Sequence, residues 1–450
     1  MTRRTKALIV VGGFVAAVLA TPWLVPVARF IPLIEAEASA RVGEPVKIAS
    51  LRLWLVPLPH VVATGISAGT APLARIARVT VRPSLLHLFS ETKVLREIRL
   101  EQAVLQQSLL ERLGSVPASR GPAAVRIDRV VIDDGELRLR GATIRDLDGE
   151  IRLTADGRPR EIRASSERGR LKVVARPDAG GALALEIAAR AWTPPAGPAI
   201  LFDRIDATAL LTRNGIQSRD FRAALYGGAV SGPLTVSWKP GWTISGEMKV
   251  KGVALQPLAA LFFTQHTVSG KLSGDPRFAV RARHTPALLS SLELASDFTV
   301  HDGVLHNVDL VAVARNPLAK QEGDADNPRQ TRFDELSGHL TVRRGAYHFS
   351  ALQVASGLLR ATGDISIGRD RSLDGRVAAE LRGTASLLTV PLQVSGTVQD
   401  PQVRPTKSAV AGAVAGSVLL PGIGTAIGLK ASQLTDKLFG GKKQPEQGGK

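Results

Sequence analysis

The feature that most constrains this chain is an alternation of apolar and polar residues with a period of two, which runs with few breaks from Val46 to about residue 405. In SLRLWLV (50–56), for example, Leu51, Leu53 and Leu55 fall on one side of an extended chain and the residues between them fall on the other. Because successive side chains of a strand point to opposite faces, this period predicts β-strands.

Glycine is expected at the starts of these strands and in the turns that precede them. SGPLTV, SGKLSG, SGHLTV, TGDISI and SGTVQD each begin a predicted strand, while DDGELRL (133–139), HDGVLHNVDL (301–310) and RRGAYHFSAL (343–352) each follow a predicted glycine turn. Glycine supplies the positive φ that tight hairpin turns require. Many short antiparallel strands predict a mainly β fold: a sandwich, a barrel or an elongated, curled sheet.

Patterns typical of helices are scarce in the body of the chain. IEAEASARVG (34–43) predicts a short helix that ends at Gly43 in a left-handed cap. PSLLHLF (83–89) and QPLAALFF (256–263) are the other main helical candidates. RNPLAKQEGDADNPRQ (315–330) is the most polar interruption and predicts an exposed loop.

Composition narrows the function classes. The 450 residues are 44% hydrophobic and 22% charged, which is typical of an ordered chain of two or three domains or of one extended repetitive domain. There is no cysteine, which excludes a disulfide framework and a cysteine-ligated metal. The net charge of +18 suits either nucleic acid or an anionic membrane surface as a partner.

The N-terminus favours the membrane. The basic MTRRTK is followed by an uncharged run, ALIVVGGFVAAVLATPWLVPVA (7–28), which is long enough to cross a bilayer as a helix. The alternative is a cleaved signal peptide, since VLA (18–20) offers small residues for cleavage, but the apolar run continues beyond it. The basic N-terminal residues 1–6 are expected in the cytoplasm, and the chain after the anchor is expected on the other side of the membrane. Because nucleic acid lies in the cytoplasm, it is not an expected partner. The residues assigned to the anchor are Leu8, Ile9, Val10, Phe14, Leu19, Trp23 and Leu24.

The C-terminal tail is a second uncharged stretch. AVAGAVAGSVLLPGIGTAIGL (409–429) carries two G-x-x-x-G pairs, Gly412 with Gly416 and Gly424 with Gly428. This spacing lets helices approach closely within a membrane. The alternatives are a small-residue helical hairpin that packs on the protein itself and a partly disordered end.

No residue pattern indicates catalysis or metal binding. GISAG (65–69) matches a nucleophile elbow around Ser67, but a strand-like segment follows where that motif needs a helix. DADNPRQTRFDE (324–335) starts like a calcium loop but has Arg329 where that loop needs glycine. No two of the eight histidines have zinc-protease spacing. The chain is therefore expected to be no enzyme and to need no metal or cofactor.

Two blocks resemble the AsmA family of bacterial envelope proteins. GEPVKIASLRLWLVPLPHVVATGIS (43–67) and the strands after it resemble that family's chorein-like start, and TRFDELSGHLTVRRGAYHFSALQVASGLLRATGDISI (331–367) with SGTVQDPQVRP (395–405) resemble its C-terminal region. The resemblance implies an inner-membrane anchor and a periplasmic body whose curled sheet forms an apolar groove, as in the related bridge-like lipid transfer proteins. It also implies a role in phospholipid transport between membranes or in outer-membrane biogenesis, and it carries no catalytic residues.

These observations predict six segments. They are a cytoplasmic basic end (1–6), a transmembrane anchor (7–28), a chorein-like β region (29–115), a middle β-rich region (116–295), an AsmA-like C-terminal β region (296–407) and a Gly/Ala-rich tail with a basic end (408–450).

A lipid site is expected near the start of the β region. Leu51, Leu53 and Leu55 would form the entry of the groove, and the alternative is that they are ordinary core of a closed sandwich. Trp54 and Trp23 are expected at the level of the membrane interface, or Trp54 in the core. The expected partners are membrane phospholipid and an unidentified envelope protein. The alternative function is an envelope assembly scaffold that transports no lipid.

Overall fold

The structure is a computed structural model that describes residues 27–56, 58–69, 73–87, 90, 92–108, 125–139, 142–195, 198–238, 241–261, 268–283, 289–315, 329–357, 359–381 and 388–407. Strands account for about 70% of the described residues, in 24 strands. The predicted mainly β, antiparallel class is therefore confirmed. The chain divides into unit 1 (1–196 and 204–218) and unit 2 (197–203 and 219–450).

A short helical segment precedes the first strand. The 3₁₀ turn η1 (Val27–Phe30) leads into α1 (Ile31–Val42), which ends at Gly43 with a φ of 73° and a Gly43 N–H to Ser39 O hydrogen bond of 2.8 Å. The helix predicted up to Gly43 is thus confirmed, and it begins a few residues earlier than expected. Its side chains bind the backbone of β1: Val46 N donates to Ser39 Oγ (2.8 Å) and Ile48 N donates to Glu35 Oε1 (2.7 Å). Unpaired backbone groups of a strand are thereby satisfied by a helix.

In unit 1 the strands pair mostly in chain order. β1 to β4 are successive antiparallel neighbours, β4 pairs in parallel with both β5 and β6, and β6 to β10 are again antiparallel neighbours. A 3₁₀ turn, η2 (Leu85–His87), links β3 to β4. The strands are β1 Val46–Trp54, β2 His60–Ala68, β3 Ala74–Pro83, β4 Lys93–Gln106, β5 Val125–Ile127, β6 Arg129–Leu139, β7 Ala142–Leu153, β8 Pro159–Ser166, β9 Leu171–Pro177 and β10 Leu183–Trp192.

The division between the units falls within the next two strands, β11 (Phe202–Leu211) and β12 (Gly215–Leu225). In unit 2, β13 pairs with β15 through its first residues and with β14 through its last residues. β14 then pairs with β17, and β15 pairs with β16. Both β16 and β17 pair with β18. β18 to β24 are successive antiparallel neighbours. These strands are β13 Gly228–Ser237, β14 Trp242–Glu247, β15 Lys249–Ala254, β16 Val268–Gly274, β17 Arg277–Ala282, β18 Glu293–His306, β19 Gln330–Arg343, β20 Ala346–Ala355, β21 Leu359–Ile367, β22 Leu373–Leu381, β23 Leu388–Gly396 and β24 Pro401–Pro405.

Unit 2 has a fully buried core around a short helix. The helices that the structure describes in this unit are α2 (Leu255–Ala259), the 3₁₀ turn η3 (Leu289–Ser291) and α3 (Leu310–Arg315). α3 contacts β19, β22 and β24, and Ala314 at its end is 0% exposed. The buried hydroxyl of Thr331 anchors α3, because it donates to Val308 O (2.8 Å) and accepts from Leu310 N (2.9 Å).

Two of the predicted glycine turns are wrong. The DDG of 133–135 and the HDG of 301–303 lie inside the long strands β6 and β18, where Asp134 and Asp302 adopt φ of 52° and 53°. The register of β6 with β7 shifts around Gly135, so this segment is a bulge within one strand, which shifts the alternation of apolar residues by one position. Arg344 and Gly345 do form the predicted hairpin turn, between Arg343 and its partner Ala346.

Ser269 and Gly270 lie at the start of β16, as predicted, but the other serine–glycine and threonine–glycine pairs lie further inside a strand or at its end. Gly232, Gly270, Gly338 and Gly363 fall inside β13, β16, β19 and β21, and Gly396 ends β23. A Cβ atom at Gly363 would stand 2.1 Å from Arg376 O of the neighbouring strand. At that position the absence of a side chain permits close approach of two backbones.

No helix of the described residues is long and apolar enough to cross a membrane. The predicted anchor residues 7–26 and the tail glycines Gly412, Gly416, Gly424 and Gly428 lie outside the described residues, as does most of the polar stretch 315–330. Residues 85–87 and 255–259 are helical as predicted, although the first is a single 3₁₀ turn.

Candidate functional site

Unit 1 carries two uninterrupted rows of apolar residues across nine neighbouring strands. The register pairs each residue of a row with the next, so all eighteen lie on one face of the sheet, which we call the apolar face. The first row is Leu51, Ala63, Val79, Leu100, Ile132, Gly149, Ala164, Val173 and Ile187, and the second row is Leu53, Val61, Val81, Ile98, Val130, Ile151, Ile162, Ala175 and Leu185.

Most of the apolar face is half-buried. Only Ala63 (9%), Ala175 (4%) and Leu185 (6%) are buried, and the other fifteen residues are intermediate in exposure. At the β9–β10 end the face is closed, because Ala175 and Leu185 pack with Ala209 of β11. From β1 to β8 all of these residues except Ala63 are intermediate in exposure. From β1 to β8 the face consists mostly of leucine, isoleucine and valine and is neither buried nor fully exposed, which makes it a surface that can receive an apolar ligand.

Among the described residues of unit 1, β11 packs on this face at its β9–β10 end, whereas from β1 to β8 only Ala63 of the two rows is buried. Extensive contacts join only strands that are neighbours in the sheet, together with η1 and α1 against β1. α1 covers a small cluster formed by Val46, Ala68 and Ala74 at the other end of these strands. The two apolar rows are therefore open from β1 to β8 and closed at β9 and β10.

The predicted groove-entry leucines lie at the edge of this face. Leu51 and Leu53 are the first members of the two rows, and Leu55 follows directly after β1. All three are intermediate in exposure, whereas Trp54 on the other side of the strand is 44% exposed. The predicted alternation along SLRLWLV is thus confirmed. The core position considered for Trp54 is wrong, because nearly half of its surface meets solvent.

The opposite face of the same strands is charged. Its central row is Arg52, Val62, Thr80, Arg99, Val131, Glu150, Arg163, Val174 and Glu186, in which five of the nine residues are ionised. Arginines and carboxylates bridge neighbouring strands on this face at Arg78–Glu101, Arg99–Asp133, Arg129–Glu150, Arg176–Glu161 and Arg176–Glu186. A charged face of this kind stays in water and leaves the apolar face as the candidate site.

Glu97 is the buried centre of the charged face, with 1% exposure. Arg82 Nη1 donates to its Oε1 at 2.9 Å, Arg99 Nε donates to the same oxygen at 3.3 Å, and Arg129 Nη2 donates to Oε2. Burial alone would raise the pKa of Glu97, but the hydrogen bonds and positive charges of Arg99 and Arg129 outweigh it and hold the pKa below its ordinary value. Because these arginines come from β3, β4 and β6, the cluster links the parallel pair β4–β6 to β3.

The two motifs considered for chemistry take other forms. GISAG covers the last residues of β2 and Gly69 after it, and Ser67 is paired to Lys47 on one side and to Arg75 on the other, so Ser67 lies in a strand and not at the turn of a nucleophile elbow. Of the calcium-loop segment only 329–335 is described, and Glu335 lies in β19 opposite His301. Among the described residues no group of three or more His, Asp or Glu side chains has the arrangement of a metal site.

Comparison with protein-family models, with curated proteins and with solved structures gives no significant match for this chain.

Sequence reasoning identified the first residues of the apolar face and missed the rest. Each strand from β2 to β10 shows the same alternation, but the sequence does not state which residue of one strand opposes which residue of the next. Gln102 and Asp134 adopt positive φ angles of 51° and 52°, and at both positions the alternation of apolar residues along β4 and β6 shifts by one residue. In the sequence, the alternation of apolar residues changes from odd to even positions, or the reverse, at Gln102-Ala103 and at Asp134-Gly135. A search for such changes inside long alternating segments would have found both irregularities.

Proposed function

We propose that this chain is a lipid-binding protein of the bacterial cell envelope, anchored in the inner membrane by residues 7–28 with its body in the periplasm. In this proposal the apolar face of unit 1 holds phospholipid acyl chains, without chemistry, during transport between membranes or outer-membrane biogenesis. The observation that supports it most is the pair of apolar rows, whose residues are almost all half-buried across the seven neighbouring strands from β1 to β8 in the described part of unit 1.

The energetics favour an acyl chain as the ligand. Each buried methylene contributes about 0.8 kcal/mol, so an acyl chain of about sixteen carbons costs on the order of 12 kcal/mol to expose to water. The seven neighbouring strands from β1 to β8, at a spacing of about 4.8 Å, extend the open part of the apolar rows over about 29 Å. Such a face offers contact along a whole acyl chain, while its charged reverse side remains in solvent. The resemblance to AsmA-family proteins supports the envelope location and the transport role.

A second candidate is an envelope assembly scaffold that transports nothing. The observation in its favour is the core of unit 2, where α3 and the strands around it are closed to ligands and Leu359, Ala379, Val390 and Leu392 are each 0% exposed. A protein built entirely in that way would have no room for an acyl chain. The open face of unit 1 makes lipid binding the better account.

Photo-crosslinking of the full chain in bacterial membranes tests the proposal. A diazirine-bearing residue at position 151 would stand on the apolar face, and the same residue at position 152 would stand on the charged face of the same strand. Arg152 is a suitable control, because its ion pair with Glu150 is half-exposed and such pairs contribute only about 0–1 kcal/mol. We expect phospholipid adducts at position 151, detected by mass spectrometry, and few at position 152.

A paired variant tests the predicted entry. Leu53 and Val61 oppose each other in β1 and β2, so changing both to aspartate places two charges at the start of the apolar face. We expect this pair to reduce the lipid adduct at position 151, whereas Lys47→Asp with Ser67→Asp, an opposed pair in the same two strands, leaves it unchanged. Equal adduct at positions 151 and 152, or none at either, would favour the scaffold.

A further inference from the structure

Exposed large apolar side chains are concentrated in one part of the described residues. Eight of the ten lie between residues 30 and 86, and the remaining two are Leu201 and Leu210. The eight are Phe30, Leu33, Ile34, Trp54, Val56, Leu58, Leu85 and Leu86. Clustered exposed apolar residues of this size mark an interaction surface more often than scattered ones do.

The strand register brings five of them to one end of the unit 1 sheet. Trp54 opposes His60 across the β1–β2 connection, which holds Val56 and Leu58. Val61 opposes Val81 in β3, so this connection lies at the same end as the start of η2, which carries Leu85 and Leu86. We call these five residues the rim: Trp54, Val56, Leu58, Leu85 and Leu86.

The N-terminal segment reaches the same end. α1 runs antiparallel to β1, since Ser39 bonds Val46 and Glu35 bonds Ile48. Four helical residues and two strand residues both span about 6 Å. Each step of four residues back along the helix therefore corresponds to about two residues forward along β1. η1, which precedes α1 and contacts β1, thus lies beside the last residues of that strand. The uncharged run that ends at Ala28 therefore joins the body beside the rim.

The charge at this end suits an anionic surface. Arg52 and Arg96 are exposed there, and neither forms an ion pair with an acidic residue among those the structure describes. Arg96 is the extra residue in the bulge where the register of β3 and β4 shifts between Arg82 and Pro83. Apolar side chains with arginine beside them are typical of surfaces that enter the interface of an anionic bilayer.

We propose that the rim docks into the surface of the anionic phospholipid bilayer that the anchor enters. Trp54 and the exposed leucines lie at the boundary of headgroups and acyl chains, and Arg52 and Arg96 bind the phosphate groups. Docking holds Leu53 and Leu55, at the start of the apolar face, against the membrane. This inference rests on the anchor in the proposed function, but it does not require lipid on the apolar face.

Depth measurement on the full chain tests the docking. The chain has no cysteine, so Leu58→Cys and Leu86→Cys each provide a single site for a spin label. Leu210→Cys is the matched control, because Leu210 is also exposed (40%) but lies away from the rim, in β11. Phe14→Cys reports separately on the anchor. The protein is reconstituted in vesicles of phosphatidylethanolamine and phosphatidylglycerol, and label depth is read from relaxation by dissolved oxygen against a water-soluble nickel chelate.

We expect labels at positions 58 and 86 to lie about 5–10 Å into the headgroup and acyl boundary, with the label at 210 in water and the label at 14 deep in the bilayer. If the labels at positions 58 and 86 lie in water, as the label at position 210 does, while the label at position 14 lies in the bilayer, docking is overturned and the anchor stands. A label at 14 in water would instead refute the anchor. Lipid crosslinking at position 151 is independent of both results.

Two further outcomes are decisive. Dipolar broadening between labels at position 58 of different molecules would show that a second copy covers the rim, and would overturn docking to lipid. Replacement of phosphatidylglycerol by phosphatidylcholine, or the pair Arg52→Gln and Arg96→Gln, is expected to make the label at position 58 shallower. An unchanged depth in both cases would refute the requirement for anionic lipid.

Discussion

The two units use the same strand chemistry and differ in what covers their apolar faces. In unit 1 the two rows from β1 to β8 are almost all half-buried. In unit 2 an equivalent row of Leu336, Val354, Ala361, Ala379 and Val390 is buried from Val354 (8%) to Val390 (0%). Alternation alone therefore builds the strands, and a covering element decides whether their apolar face becomes a core or a binding surface.

The covering element of unit 2 is small. α3 contains six residues, and its position depends on one buried side chain, because Thr331 bonds both Val308 O and Leu310 N. Val313 and Ala314 place apolar atoms on the sheet, with exposures of 3% and 0%. Among the described residues of unit 1, the only helix of that size or larger is α1, and it packs at the β1 edge instead of on the two apolar rows.

The units also differ on their outer faces. Unit 1 has a network of arginine–carboxylate pairs that reaches from β3 to β10 and centres on buried Glu97. Most of these pairs are half-exposed, so each contributes only about 0–1 kcal/mol, but Glu97 is an exception because its charge is buried among three arginines. We infer that unit 1 depends on electrostatics for part of the stability that unit 2 takes from its core.

The largest expected difference lies in truncation of a leucine on each apolar face. Leu392→Ala in unit 2 removes a side chain that is 0% exposed and is expected to cost about 4 kcal/mol, since buried leucine-to-alanine changes cost about 2–5 kcal/mol. Leu100→Ala in unit 1 removes a half-buried side chain and is expected to cost about 1 kcal/mol, because little cavity forms on an open face. Hydrogen exchange of the amides of β23 and of β4 measures the two losses locally. Equal losses would mean that the face of unit 1 is covered as fully as that of unit 2.

The next largest effect is expected at Glu97. Glu97→Gln leaves three arginines around a neutral side chain, and breaking a buried ion pair in this way costs about 3 kcal/mol. The strands expected to lose protection against hydrogen exchange are β3, β4 and β6, while those of unit 2 keep theirs. The matched control is Glu101→Gln, because Glu101 pairs with Arg78 at 3.2 Å but is one-third exposed, and it is expected to cost under about 1 kcal/mol.

The effect of Glu97 depends on pH with a defined sign. Its pKa is lower in the folded protein than the ordinary value of 4.5, so protonation favours the unfolded chain. The stabilisation is fully present above about pH 4.5 and is lost as pH falls through the lower folded-state pKa. The difference between wild type and Glu97→Gln is therefore expected to shrink on acidification below that pH. A difference that stays constant down to pH 3 would contradict the assignment of the lowered pKa to Glu97.

The strand content was predictable from the sequence because alternation is a local signal. Leu51, Leu53 and Leu55 could be assigned to one side of a strand with no knowledge of its partners. The bulges were not predictable from the sequence, because an Asp-Gly step is equally typical of a hairpin turn. Only the pairing of β6 with both β4 and β7 shows that Asp134 lies within one strand. There, Asp134 N donates to Asp148 Oδ1 at 3.1 Å, and in unit 2 Ala351 N donates to Asp364 Oδ1 at 2.9 Å at the bulge in β20. In both cases the supporting carboxylate comes from a neighbouring strand.

The candidate site was predictable only at its edge. Membership of the apolar face depends on register across strands that are up to about 130 residues apart in the chain, such as Leu53 and Leu185, and alternation carries no register. Glu97 gave no signal, since a glutamate between arginines in LREIRLE is typical of a solvated strand face. Its burial arises from Arg82 and Arg129, which other strands bring to it.

The smallest expected effect is also the most direct test of openness. A Cβ atom at Gly149, on the apolar face of unit 1, would meet Ile132 Cβ at 3.6 Å, which is an ordinary contact. A Cβ atom at Gly303, in unit 2, would stand 2.2 Å from the Phe333 ring and 2.4 Å from Ser269 O. Gly149→Ala is therefore expected to stabilise β7 by about 0.5 kcal/mol through the lower entropy of the unfolded chain, whereas Gly303→Ala destabilises β18 by about 1–3 kcal/mol through overpacking. Hydrogen exchange in the two strands measures both changes. A loss of stability in Gly149→Ala comparable to that in Gly303→Ala would mean that the apolar face has no free space above its strands, and an acyl chain would then have nowhere to bind.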